Sequence, residues 1–259
     1  MKHIVLYFSF TVVLALMAMI IINQKEKPLE KLLSIQTYYS YLYLEDSKIE
    51  IPLYLNDATH PLLDENSYLD IELCNNDETK KIEMKLIGIS LGYEQSYLND
   101  EFQEFFIQLE MPDLKEDFWI DDLWIKITLV NDDFYWVSLG SFSLKIDESN
   151  TDSISWTALE GRQSDTSFLP RLHTIWIEYD EQVKEIDYIE IGYQYDVTFA
   201  IESNQIVLTI PYDNELLNDV PIFIYFMDGT NQNIYNFRYM IDYDTLSESG
   251  LIIKTYALN

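Results

Sequence analysis

Over long stretches of this chain every second residue is apolar, a spacing that leaves little choice but β-sheet with one buried face. Ile49, Ile51, Leu53 and Leu55 fall on one side of an extended backbone, with Lys48, Glu50 and Tyr54 on the other. Leu69, Ile71 and Leu73 alternate with Asp70, Glu72 and Cys74. The same reading applies to Phe105, Ile107, Leu109 and Met111, and to Leu123, Ile125, Ile127 and Leu129. Successive side chains of a strand point to opposite faces, so this pattern belongs to antiparallel sheets with one face in a core and one toward solvent. The composition agrees: 20 Tyr and 13 Phe against 7 Gly favour strands, and no helix of ten residues is expected after the N-terminal segment. At Ile82-Met84-Leu86 the apolar positions are even; from Ile87 they turn odd. Such a switch marks a β-bulge or a strand that leaves one sheet for another.

The second half continues in the same style. Ile175, Ile177 and Tyr179 share a face. Val197, Phe199 and Ile201 precede Ile206, Leu208 and Ile210 across Glu202–Gln205, a hairpin. Ile222, Ile224 and Phe226 run into Asp228-Gly229, a turn signal, after which Tyr235, Phe237, Tyr239 and Ile241 alternate again. At an offset of 99 residues, Leu109-Glu110-Met111-Pro112 lies on Leu208-Thr209-Ile210-Pro211, Glu116 on Glu215, and Leu123, Ile125 and Ile127 on Ile222, Ile224 and Phe226. Each half offers about seven strands in roughly 100 residues, which fits an immunoglobulin-like sandwich. The expected fold class is therefore all-β: an N-terminal transmembrane helix followed by two tandem immunoglobulin-like antiparallel β-sandwich domains. The expected bounds are a short tail over 1–3, the helix over 4–22, a charged connector over 23–33, a first sandwich over 34–147 and a second over 171–259. Between the sandwiches, 148–170 reads as a linker or edge segment, because Ser, Thr, Asp and Asn crowd there with Gly161 and Pro170.

The helix rests on Ile4–Ile22, 19 residues without charge, Pro, Gly or Asn. At about 1.5 Å each they span roughly 28 Å, close to the apolar thickness of a bilayer. A cleaved secretory signal is the competing reading. It needs small residues at the cleavage site, and Ala15 and Ala18 have the wrong spacing for one. Lys2 competes with Lys25, Lys27 and Lys31 in setting orientation; the three-residue tail favours an N-terminus inside and the rest of the chain outside. The expected location is thus the cell membrane, single-pass, with the following domains extracytoplasmic.

Charge narrows the partners. Sixteen Lys and Arg face 45 Asp and Glu, a net charge of −29. That field repels phosphate backbones, so no nucleic acid is expected as a partner. It attracts divalent cations non-specifically.

No chemistry-bearing motif stands out, so no catalytic residue, cofactor or metal site is assigned. His3, His60 and His173 are isolated. Cys74 is the sole cysteine and has acidic neighbours, which disfavour a thiolate. Ser138-Leu139-Gly140-Ser141 lacks the order of a nucleophile elbow. Acidic turns such as Asn131-Asp132-Asp133 are explained by turn geometry. What remains is aromatic: Trp124 and Trp136 fall on the outward parity of neighbouring strands, and if those strands pair the two indoles meet on one sheet face, a possible binding patch. The reading that results is a non-enzymatic, membrane-anchored extracytoplasmic protein that binds or supports another cell-envelope protein. Its rival is a cell-wall carbohydrate-binding module or glycan-active enzyme.

Overall fold

The alternating segments fold as strands throughout the computed structural model, which describes residues 29–44, 47–146, 149–163, 172–180, 183–192, 195–210, 215–217, 219–238 and 252–258. In chain order the first strands are β1 (Glu30–Ile35), β2 (Thr37–Tyr43), β3 (Lys48–Leu55), β4 (Tyr68–Asn75), β5 (Lys81–Met84), β6 (Leu86–Tyr97), β7 (Asp100–Glu110), β8 (Phe118–Leu129) and β9 (Phe134–Ile146). There follow β10 (Trp156–Gln163), β11 (Leu172–Tyr179), β12 (Ile186–Ile191), β13 (Tyr195–Asp196), β14 (Thr198–Glu202), β15 (Gln205–Thr209), β16 (Asp219–Phe226), β17 (Asn231–Arg238) and β18 (Ile253–Leu258). Two single 3-10 turns, Pro61–Leu63 and Glu65–Ser67, are the only helical turns among the described residues. No described helix is long and apolar enough to cross a membrane. The apolar run Ile4–Ile22, and Tyr239 and Ile241 of the last alternating segment, lie outside the described residues.

Four sheets result. Their strand orders are β18-β1-β3-β7-β6 and β2-β9-β8-β4-β5 for the first sandwich, and β10-β11-β15-β14 and β13-β12-β16-β17 for the second. The inward residues named from the alternation of β3, β7 and β8 are all buried. In the second sandwich Ile175, Ile177, Ile206 and Leu208 from one sheet join Ile189, Ile191, Ile222 and Ile224 from the other in one core cluster. Each such side chain contributes about 1.5–3 kcal/mol when fully buried. The parity switch near Lys85 falls where the chain changes sheet, β5 pairing with β4 and β6 with β7. The odd positions it selects are not the inward ones: Ile87 is 52% and Leu91 62% exposed, beside register shifts on β6. The two halves that align at an offset of 99 residues are β7 with β15 and β8 with β16, strands that hold matching places in their sheets.

Ile201 is also 50% exposed against its parity. Of three further departures from strict alternation, bulges explain two. A register shift between Tyr68 and Asp70 turns Leu69 outward, 64% exposed, while Ile71 and Leu73 stay inside. A shift on β11 turns His173 to solvent although its parity reads as apolar. The third departure is that one pairing is parallel: β2 runs alongside β9, with Thr37 opposite Gly140. The chain crosses at Gln36 from one sheet to the other, which leaves β2 running in the direction of β9. Gly140 makes the approach possible. Its φ is +120°, and a Cβ there would lie 2.4 Å from the Thr37 carbonyl oxygen.

Residues Lys31–Tyr256 form one compact unit, and the two sandwiches touch closely. The Tyr38 N–H donates to the Leu216 carbonyl (3.0 Å), and the Leu216 N–H to that of Gln36 (2.9 Å). Tyr38 belongs to the core of the second sandwich. Lys145 at the end of β9 donates to Glu190 Oε2 (2.9 Å) and to the Tyr225 hydroxyl (2.7 Å). Strand β10, inside the stretch read as linker or edge segment, lies at the edge of its sheet.

Candidate functional site

The antiparallel pairing of β8 with β9 sets Trp124 opposite Ser138, Lys126 opposite Trp136 and Thr128 opposite Phe134. Both strands turn Ile125, Ile127 and Val137 into the core, so the intervening residues project from the outer face of the sheet. Sheet twist brings the Trp124–Trp136 diagonal together. The indole centroids are 6.0 Å apart with planes at 81°, an edge-to-face contact. Phe134 repeats the geometry against Trp136, again at 6.0 Å and 81°. Phe134 is 49% exposed, so the three-ring row ends in solvent. The Trp136 indole N–H is buried and meets no acceptor among the described residues.

Cations border the row. The Lys126 ammonium lies 5.8 Å from the Phe134 ring and 6.0 Å from that of Trp136. It is held by Glu72 Oε2 (3.1 Å) and Glu78 Oε2 (3.0 Å). Lys81 binds the other Glu72 oxygen at 2.9 Å. These ammonium groups, Lys81 first and Lys126 with it, hold the Glu72 carboxyl below the usual carboxylate range, against the opposing effect of burial. Glu78 and then Glu72 in turn raise Lys126 above the usual lysine value. Lys80 sits 4.2 Å above the Trp119 ring, and Lys254 lies 5.8 Å from that of Trp124. Cation–π contacts of this kind contribute about 0.5–1 kcal/mol at exposed sites.

The remaining candidates do other work. Cys74 stands opposite Trp124, yet it is buried rather than exposed as its polar parity suggested. Burial first, then Glu78 and Glu72, raise its thiol above the usual value, the opposite of what a nucleophile needs. His60 is buried. Its Nδ1 accepts the Leu62 N–H (3.2 Å) and its Nε2 meets the Tyr135 hydroxyl (3.3 Å). In the Asn131-Asp132-Asp133 turn, the Asn131 amide donates to Asp133 Oδ2 (2.7 Å), and the Asp133 N–H to Asn131 Oδ1 (3.1 Å). No group of three or more His, Cys, Asp or Glu fit to hold a metal occurs among the described residues. An open concavity of about 520 Å³ in the second sandwich is lined by Glu178, Asp180 and Glu202. All three are exposed, which is not the water-poor setting of a general acid.

The alternation pointed to Trp124 and Trp136. Phe134 and Lys126 were missed although they share that parity. Lys254 had no signal, since its approach depends on a strand more than 100 residues away in the chain.

No family model matches the sequence, and no curated protein matches it. A comparison with solved structures finds similarity to the SGBP-B protein of the Bacteroides ovatus mixed-linkage glucan utilization locus, in complex with a mixed-linkage heptasaccharide, at 12% identity and a TM-score of 0.23. The match covers 78% of this chain and 43% of that one. A TM-score this low carries no argument about fold or function.

Proposed function

We propose that this protein is a non-enzymatic binding protein of the cell envelope, anchored in the membrane by Ile4–Ile22 with the rest of the chain extracytoplasmic, and that it docks another envelope protein on the outer face of its first sandwich. In this reading the sandwiches are two tandem immunoglobulin-like modules. The strand orders support it: β1-β3-β7-β6 with β9-β8-β4, and β10-β11-β15-β14 with β12-β16-β17, follow the A-B-E-D and C-F-G orders of that fold. The first module comprises β1–β9 with β18, the second β10–β17.

The observation that carries the function is the row Trp124–Trp136–Phe134. It is a cation-bordered aromatic row on an outer sheet face, ending in the exposed Phe134, and aromatic side chains are the usual anchors of protein interfaces. The edge-to-face packing argues against the rival glycan reading, because sugar stacking uses an open ring face and here Trp136 packs edge-to-face against both Trp124 and Phe134. Partners consistent with the net charge are basic protein faces, with divalent cations screening the surface non-specifically and nucleic acid disfavoured.

Crosslinking and affinity capture from native membranes tests this, comparing wild type with the double variant Phe134→Ala/Trp136→Ala. A stoichiometric protein partner that the variant loses is the expected result. Equal capture by both, or loss of affinity for an insoluble glycan instead, overturns it.

A further inference from the structure

Ser138, on β9 directly opposite Trp124, is held almost entirely by side chains from outside its own sheet. Its backbone N–H donates to the Tyr256 hydroxyl (2.9 Å). Its carbonyl accepts from Ser34 Oγ (2.7 Å) and Gln36 Nε2 (3.0 Å). Its hydroxyl donates to Gln36 Oε1 (3.1 Å) and accepts from the Lys254 ammonium (2.7 Å). The β8–β9 ladder is irregular at this point, with register shifts on either side of Leu123. An irregular ladder leaves backbone groups that need other partners; here Tyr256 of the last strand takes the N–H, while Ser34 and Gln36 donate to the carbonyl. Lys254 also brings its charge toward the Trp124 ring.

Ile252, the residue just before β18, reaches Leu216 of the second sandwich. The Gln36 N–H donates to the Ile252 carbonyl at 2.7 Å. Ile252 shares one apolar cluster with Leu33 and Ile35 of β1 and with Leu216, the residue bridged to Thr37.

We propose that β18 is a strap that sets the shape of the aromatic face: seated, it fixes the backbone beside Trp124 through Tyr256 and Lys254; unseated, it releases that backbone and the Trp124–Trp136 contact. This rests on the docking role of that face and makes docking responsive to anything that pulls on the C-terminal strand or shifts Leu216. Loss of the Tyr256 hydroxyl would leave the Ser138 N–H without its acceptor, a group that is costly to bury unpaired.

Fluorine NMR of the full chain in detergent, labelled with 5-fluorotryptophan, reads this without any partner. The chain has five Trp, each assigned by a Trp→Phe substitution. In Tyr256→Phe, and in Tyr256→Phe/Lys254→Met, the Trp124 and Trp136 resonances are expected to shift or broaden beyond their wild-type linewidth, while those of Trp119, Trp156 and Trp176 stay in place. The single variant keeps the ring, so the packing of β18 survives. Unchanged spectra overturn the proposal. So does an equal change at all five, which would make β18 a general stabilising element. Partner capture separates this from the docking reading: failure of docking removes capture in wild type, whereas failure of the strap leaves capture intact in Tyr256→Phe.

Discussion

Among the described residues, three glycines with positive φ grade the demands that tight contacts place on single residues. Gly229 (φ +79°) turns the β16–β17 hairpin with nothing within 4 Å of its absent Cβ. Gly229→Ala therefore meets only the backbone penalty, about 1–2 kcal/mol. At Gly192 (φ +63°) a Cβ would lie 2.4 Å from the Tyr38 hydroxyl, and at Gly140 it would meet the backbone of Thr37. Overpacking adds about 1–3 kcal/mol where neighbours have to move. Urea unfolding of the three Gly→Ala variants should rank them Gly229, Gly192, Gly140 in rising cost, since a tyrosine tip yields more readily than backbone. Glu72 gives a pH prediction. Its carboxyl titrates lower folded than unfolded, so the stability it contributes is present above the ordinary carboxylate range and is lost as pH falls through the lowered value. Lys81→Met removes the largest cause of that lowering. The Glu72 titration followed by carboxyl NMR should then move up toward the usual range, and acid unfolding should begin at higher pH.

Among the strands, what was legible in the sequence was whatever depends on period two alone. β3, β7, β8 and β15 bury the residues that their parity selects. The parity switch at Lys85 marks the passage from β5 to β6, though Ile87 and Leu91 face solvent. The Ile201–Ile206 hairpin became β14–β15, turning at Ser203-Asn204 with Ser203 at φ +55° and Ile201 exposed. Parity fails where a bulge intervenes, as at Leu69 and His173, because one extra residue inverts every side chain beyond it. It is silent on pairing partners distant in the chain. The parallel β2–β9 ladder depends on Gly140, and the seat of β18 depends on Ser34, Gln36 and Ser138, polar residues with no periodic signature. The candidate face divides the same way: two indoles were readable from parity and pairing of neighbours, whereas the Lys254 and Tyr256 contacts arise only from the fold.

Across the whole molecule, the Lys145 contacts and the Tyr38–Leu216 hydrogen bond tie the sandwiches together. Differential scanning calorimetry is expected to give one transition whose calorimetric and van't Hoff enthalpies agree, not two. With a net charge of −29, the melting temperature should rise with salt, and Mg²⁺ should act as strongly as Ca²⁺ at equal concentration, because the acidic turns bond to themselves. The docking role of the first sandwich is tested by a photo-crosslinking amino acid placed at Phe134, and separately at Ile201 on the second sandwich, in cells that make the protein. The account expects one discrete heavier protein adduct from position 134, absent from position 201 and lost when Trp136→Ala is added. No adduct at 134, the same adduct from both positions, or an adduct abolished by soluble glycan would contradict it.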